Sequence, residues 1–338
     1  MEALLEVKNL RTHFFSRAGV VRAVDDVSFS IGRGEILGVV GESGCGKSVT
    51  SLSIMRLVDK PGRIVSGEIL FEGRNLLDLP QEEMRRLRGS RLAMIFQEPT
   101  SSMNPVFTIG SQIQEAILVH EKVSREAARA RVLELMRLVG IPDPEKRFRQ
   151  FPHQFSGGML QRMMVAMALA CNPGLLIADE PVTALDVTIQ AQILDLVKEL
   201  RSKTGASVLL ITHDMGVVAE TCDRVVVMYL GKVVEDGPID VIFDDPKHPY
   251  TAGLFASIPR LEETAEWLHP IPGVVPSPLN LPAGCRFRNR CPHAMPICAE
   301  AEPSTLEVAP NHRVACHLFL GGHAGPHPQG GPDEGVGA

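Results

Sequence analysis

A chain of 338 residues with 44% hydrophobic and 22% charged side chains has the profile of a globular protein with one large domain and an appendage. Its formal net charge of −6 gives no global basic field, which argues against a nucleic-acid partner. No apolar run reaches the roughly eighteen residues of a membrane-spanning helix, and the opening MEALLEVKNL lacks the basic stretch and apolar core of a secretory signal, so the chain is expected to stay in the cytoplasm.

Residues 4–31 alternate apolar and polar in short bursts (LLEVKNL, VRAVDDVSFSI), which predicts a small antiparallel sheet. EILGVV at 35–40 is a short apolar run of the kind a buried parallel strand needs. GESGCGKS at 41–48 follows and fits the phosphate-loop pattern GxxxxGK[ST] without a mismatch. Gly41, Gly44 and Gly46 allow backbone conformations that a Cβ would forbid, so that Gly41, Glu42, Ser43, Gly44, Cys45 and Gly46 can cradle an anion with their N–H groups. Lys47 is expected at the β- and γ-phosphates of a nucleotide and the Ser48 hydroxyl on Mg²⁺, with Val49 in the helix that follows.

A second period-2 burst lies at 67–73, and from about Thr108 to Gly140 the period turns helical. Ala128, Val132, Leu135, Met136 and Val139 share one face there, with Ser124 as N-cap and Gly140 with Pro142 as the stop. FSGGMLQR at 155–162 reads as a helix start capped by Ser156, with Gly157 and Gly158 leaving N–H groups open to an anion. LLIADE at 175–180 is an apolar strand ending in two carboxylates: Asp179 is placed to complete a Mg²⁺ shell, and Glu180, on the other side of the strand, to polarise an attacking water. SVLLITHD at 207–214 is another apolar strand, and its end puts His213 where γ-phosphate contacts arise. A phosphate loop together with a second anion-binding helix start exceeds what one γ-phosphate on one subunit needs, which suggests two chains sharing nucleotides.

After about Gly237 the composition turns proline-rich and loop-like, and Cys285, Cys291, Cys298 and Cys316 follow with spacing C-x5-C-x6-C-x17-C. In a reducing compartment such clustered thiols fit metal or cluster ligation better than disulfides. The segment has too few apolar residues for a core of its own, so a staple is expected. Zinc is one option, with His293, His312 or His317 as substitute ligands. Residues 321–338 are glycine- and proline-rich without periodicity and are expected to be disordered.

Taken in order, GESGCGKS, Gln97 in MIFQEP, FSGGMLQR, LLIADE, the TALD turn at 183–186 and His213 in THD resemble the motif series of the ATP-binding subunits of ATP-binding-cassette (ABC) transporters. HPYTAGLFASIP at 248–259 and CRFRNRCP at 285–292 extend the resemblance to the peptide-import branch, which serves dipeptides, oligopeptides and nickel, over all but the last eighteen residues. The resemblance implies an α/β P-loop NTPase with a RecA-like parallel-sheet core, an N-terminal antiparallel β subdomain, an inserted helical subdomain at about 98–165 and a small Cys-rich C-terminal extension. The nucleotide-binding domain would span 1–236, the extension 237–320 and the tail 321–338.

By the same resemblance Glu180 is the catalytic base, and Gln97 senses the γ-phosphate and, with Ser48 and Asp179, the Mg²⁺. His213 binds the γ-phosphate. Ser156, Gly157 and Gly158 complete the site of an opposing subunit, and Asp186 bridges the two. Phe14 stacks on adenine, with Phe15 adjacent. Met159 stands where the wider family has glutamine, a mark of the peptide branch. The four cysteines correspond to a [4Fe-4S] site. Implied partners are two transmembrane permease subunits, a second ABC ATPase (related, or another copy) and an extracytoplasmic substrate-binding protein, with the chain peripheral on the cytoplasmic face of the membrane. Nickel, glutathione or an oligosaccharide remain alternative cargoes, and a soluble ABC ATPase acting on nucleic acid is the rival class.

Overall fold

The computed structural model of the protein describes residues 2–98, 102–181, 187–257 and 271–320. In chain order the strands are β1 (Ala3–Ser16), β2 (Gly19–Gly32), β3 (Ile36–Val40), β4 (Gly62–Phe71), β5 (Arg74–Asn75) and β6 (Leu92–Ile95). They continue with β7 (Leu175–Asp179), β8 (Ser207–Ile211), β9 (Arg224–Tyr229), β10 (Lys232–Pro238), β11 (Leu306–Ala309) and β12 (His312–Val314). The N-terminal bursts form an antiparallel sheet in the order β2-β1-β4-β5.

The larger sheet runs β11-β12-β10-β9-β3-β8-β7-β6. From β9 through β6 every pairing is parallel, which places the strand C-termini, and the loops that follow them, along one edge. Every residue of β3, β6, β7 and β8 is buried, as their unbroken apolar runs require of strands covered on both faces. Alternation divides them between two cores. Ile36, Val40, Leu176, Ala178, Val208 and Leu210 face the helical side. Leu37, Val39, Leu175, Ile177, Leu209 and Ile211 pack with the antiparallel sheet.

The helical insertion contains helices Ile109–His120 and Arg125–Leu138, the second N-capped by Ser124 as the sequence suggests and the first by Thr108. Ala128, Val132, Leu135 and Met136 are the buried face of the second. Gly140 ends that run in the left-handed region at φ 70°. Both helices pack against Gly157–Ala168, whose Met163, Met164 and Val165 are buried.

The segment beyond Gly237 is more regular than its proline-rich composition suggests. It forms helices Ile239–Asp244 and Pro249–Ala256, a short turn of helix at Ile297–Glu300, and the β11–β12 hairpin, which extends the main sheet through β10. Tyr250 and Phe287 join the main core beside Tyr229, with ring centroids 4.7 Å apart for Tyr229–Tyr250 and 5.2 Å for Tyr229–Phe287. The extension thus shares the core of the parallel sheet instead of building its own. Among the described residues no helix is long and apolar enough to cross a membrane.

Candidate nucleotide site

The phosphate loop leaves β3 at Val40 and enters the helix Lys47–Ile54 with Gly41, Gly44 and Gly46 at φ 148°, 79° and 105°. Two of these glycines are also required by packing. A Cβ on Gly41 would lie 2.2 Å from the Met228 carbonyl oxygen, and one on Gly46 would lie 2.2 Å from that of Ala23. Ser43 and Gly44 are exposed, and no side chain caps the helix start at Gly46, so its first N–H groups remain open to an anion. Lys47 is buried; its Nζ donates to the carbonyls of Gly41 at 2.6 Å and Glu42 at 3.3 Å, folded back across the loop.

The ends of β7 and β8 bring the charged groups to this loop. Ser48 Oγ donates to Asp179 Oδ1 at 3.0 Å, and Ser51 Oγ lies 3.4 Å from Asp179 Oδ2. Burial pushes the Asp179 carboxyl up from its ordinary value, the Glu180 charge adds to this, and the Ser48 hydrogen bond opposes it. Glu180 N–H still closes the sheet on Ile211 O at 2.8 Å, but the residue sits at φ 48°. This left-handed conformation in a non-glycine residue directs the carboxylate away from that of Asp179. Glu180 Oε2 accepts from Gln97 Nε2 at 2.9 Å, and its Oε1 lies 3.4 Å from His213 Nδ1. Gln97, Asp179, Glu180 and His213, from three separate loops, thereby converge beside Lys47 and Ser48.

The helix-start residues stand apart from this cluster. Ser156 Oγ accepts from Met159 N at 3.4 Å, capping its own helix, and the Cα of Gly157 faces open space. Phe14 is half-buried over Gly62, its register partner on β4, where a Cβ would lie 2.6 Å from the Phe14 ring. Phe15 is covered by the Arg63 guanidinium, 4.1 Å from its ring centre. Asp186 lies outside the described residues.

Three contributions were not read from the sequence. Ser51 joins Ser48 on Asp179, and its position three residues along the same helix was the signal available. Buried Gln161 donates from the FSGGMLQR helix to Pro181 O at 2.5 Å, tying that helix to the residue after Glu180. Glu42 of the phosphate loop is held by Arg290, with Nη–Oε distances of 2.6 and 3.0 Å, and its N–H donates to Tyr250 Oη at 2.8 Å. Sequence separations of 248 and 208 leave no local pattern from which to read either contact.

The four C-terminal cysteines are free thiols, with Cys298 and Cys316 buried. Met295 N–H donates to Cys298 Sγ at 3.5 Å, and the backbone N–H groups of Phe287, His293 and Leu318 oppose the effect of burial on Cys285, Cys291 and Cys316. Burial pushes the Cys285 and Cys291 thiols up and Cys316 to about 12, and Cys316 is near enough to feel the charges of the other three. Among the described residues no three His, Cys, Asp or Glu side chains come together as a single-ion site. His312, one of the substitute zinc ligands, is instead paired with buried Glu235, Nε2 to Oε1 2.7 Å.

Residues 24–183 match the ABC transporter family, and residues 234–298 match the C-terminal region of oligopeptide/dipeptide transporters. The chain is 55% identical over 318 residues to an oligopeptide transport ATP-binding protein of Bacillus subtilis, covering 94% of this chain and 89% of the relative. It is 53% identical over 317 residues to a probable peptide ABC transporter ATP-binding protein of Sinorhizobium fredii, covering 93% and 95%. It is 49% identical over 336 residues to a dipeptide transport ATP-binding protein of Haemophilus influenzae, covering 99% and 100%. Among solved structures, a dimeric ATP-binding cassette in a post-hydrolysis state with ADP and phosphate superposes with TM-score 0.64 at 26% identity, covering 70% of this chain and 98% of that one. The ATP-binding subunit of an ABC transporter superposes with TM-score 0.59 at 32% identity, covering 71% and 92%.

Proposed function

This chain belongs to the ABC transporter ATPases, and we propose that it is the ATP-hydrolysing motor of a membrane importer for dipeptides or oligopeptides. The observation that carries the reading is the single Glu180 carboxylate shared by Gln97 and His213, one residue beyond the Asp179 carboxylate that receives Ser48. That arrangement separates two jobs between adjacent acids.

With ATP bound, the open N–H groups of the loop from Ser43 to Ser48, apart from that of Cys45, which is given to the Glu42 carbonyl, face the phosphates, and Lys47 exchanges its loop carbonyls for phosphate oxygens. Asp179, Ser48 and Gln97 offer hard oxygen donors suited to Mg²⁺, which would neutralise charge on the β- and γ-phosphate oxygens. Glu180 takes the proton of the attacking water, and Gln97 and His213 hold its carboxylate in place and contact the γ-phosphate. Ser156 and Gly157, exposed at the start of their helix, and the half-buried Gly158 complete the site of an opposing ATPase, related or identical, and Asp186 bridges the two. Phe14 stacks on adenine. Closure of the pair on two ATP molecules, and reopening after hydrolysis, would drive two transmembrane permease subunits through the Gln97 loop. The chain works at the cytoplasmic face of the membrane, and an extracytoplasmic binding protein delivers the cargo.

For the extension we propose a [4Fe-4S] cluster on Cys285, Cys291, Cys298 and Cys316, a reading that rests on the four clustered thiols of the sequence, the normal ligand set of such a cluster. Its contribution would be to staple the proline-rich segment.

Reconstitution of the chain with permease, second ATPase and binding protein in vesicles tests the reading. ATP-dependent uptake of labelled di- and oligopeptides is expected, and ATP turnover without peptide uptake would overturn the cargo assignment. Anaerobic purification is expected to yield brown protein with about four irons per chain; iron-free protein would reject the cluster.

A further inference from the structure

Glu42 is the only acidic residue of the phosphate loop, and it lies two residues beyond β3, beside a site built for a highly charged anion. Both its side chain and its backbone are held by the C-terminal extension. Arg290 makes a fork-to-fork pair with the carboxylate, its side chain only 4% exposed. The same guanidinium is fixed from behind by the carbonyls of Pro272 (3.0 Å from Nε) and Ile271 (3.3 Å from Nη2) and by Tyr229 Oη at 3.4 Å. The fully buried Tyr250 ring, packed on Tyr229 and Phe287, sets the phenol oxygen that receives the Glu42 N–H.

An unpaired carboxylate at this point would repel the triphosphate in surroundings where screening is weak. Paired with Arg290, its charge is cancelled and its direction fixed. We propose that Arg290 and Tyr250 are positioning residues of the ATP site, through which the extension clamps Glu42 and holds the phosphate loop ready for the nucleotide. The inference rests on the ATP-site reading above and adds a task for the extension within it. It also places the clamp on the segment that carries Cys285 and Cys291, so the order of that segment and the order of the phosphate loop are mechanically one.

The test uses the full chain, a fluorescent ATP analogue with Mg²⁺, and thermal melting as a check on folding. Arg290→Ala is expected to weaken binding by about tenfold, because the half-buried Glu42 carboxylate loses its counter-ion beside the phosphates. Removing that charge as well, in Arg290→Ala/Glu42→Gln, is expected to recover most of the loss, a rescue that a merely structural arginine would not show. Arg313→Ala cuts a different extension-to-sheet pair, with Asp236, and is expected to leave nucleotide affinity unchanged. In the assembled transporter Arg290→Ala should raise KM for ATP while kcat stays within about twofold.

Unchanged affinity in folded Arg290→Ala, or a double variant no better than the single, would overturn the clamp. Should Arg290→Ala not fold, Tyr250→Phe keeps the ring and removes only the acceptor. A roughly threefold weaker affinity is then expected, and an unchanged one is contrary. Failure of the wild-type chain to bind the analogue would overturn the ATP-site reading itself, and the clamp with it.

Discussion

The parallel strands and the C-terminal extension lie in one sheet, yet the extension relies on charged contacts that the strands do without. β3, β7 and β8 bury apolar side chains on both faces, and the contacts are interchangeable hydrocarbon. The extension adds to its aromatic share of that core, Tyr250 and Phe287 on Tyr229, a set of charged attachments: Arg286 on Asp25 and the Leu230 carbonyl, Arg290 on Glu42, and His312 on Glu235. Asp25 shows the balance. Burial drives its carboxyl up, and the hydrogen bond and charge of Arg286, together with the charges of Lys232 and Arg22, more than reverse this, leaving it below its ordinary value. Apolar contacts tolerate trimming, whereas a buried charge stripped of its partner is left desolvated and alone. The core should therefore be robust to small changes and the extension brittle.

The largest expected effect falls on chemistry, at the edge of the robust region. Glu180→Gln should lower kcat by about 10²–10⁴-fold, the range for losing a general base, while ATP binding and melting temperature stay near wild type. Retained turnover would reassign the base. Next in size is the contrast between the regions themselves. Arg286→Ala should cost about 3 kcal/mol by stripping buried Asp25 of its one buried partner, leaving only the exposed Arg11 at 3.6 Å and Arg22 at 4.0 Å, against about 1 kcal/mol for Ile177→Val in the core. Chemical denaturation of both variants measures the difference, and equal losses would erase the distinction.

A pH series probes the extension without mutation. His248 is fully buried under Phe287, with its Nδ1 accepting from Tyr250 N at 3.0 Å, and burial lowers its pKa to about 4. Because the folded value lies below the unfolded 6.5, the stabilisation is complete above pH 6.5 and is lost as pH falls from there towards 4. At 1.36 kcal/mol per unit the loss reaches about 3 kcal/mol. Melting curves from pH 7.5 to 4 should show this decline, and His248→Asn, which keeps a capping acceptor, should flatten it.

The smallest effect separates two caps of the same kind. Ser124→Ala and Ser156→Ala should each cost about 1 kcal/mol of stability. Only Ser156→Ala should also reduce ATPase activity, since Ser124 caps a helix remote from any nucleotide. Matching activities would remove Ser156 from the shared site.

What could be read from the sequence follows the same division. Continuous apolar runs announced β3, β7 and β8, because burial on both faces leaves no alternation to confuse the reading. The phosphate loop was legible because its glycines are fixed by backbone conformation and by close approach to Met228 and Ala23, constraints that few other residues satisfy. Glu180 was legible as a residue pointing away from Asp179, although its left-handed backbone was not. The attachment of the extension was not legible at all. Arg286 and Arg290 look like ordinary surface arginines between cysteines, and only the fold brings Asp25 and Glu42 within reach of them. The proline-rich composition likewise concealed two helices and a hairpin, since these draw on the core of the main sheet and need few apolar residues of their own.

Sharing of each nucleotide between two ATPase subunits is the claim on which the motor reading stands. Analytical ultracentrifugation of the Glu180→Gln chain with its companion ATPase, with and without MgATP, tests it most directly. A nucleotide-dependent shift from monomer to dimer, reversed by Ser156→Arg at the opposing face, is the predicted result. A chain that binds MgATP tightly and sediments as a monomer at every concentration would contradict it.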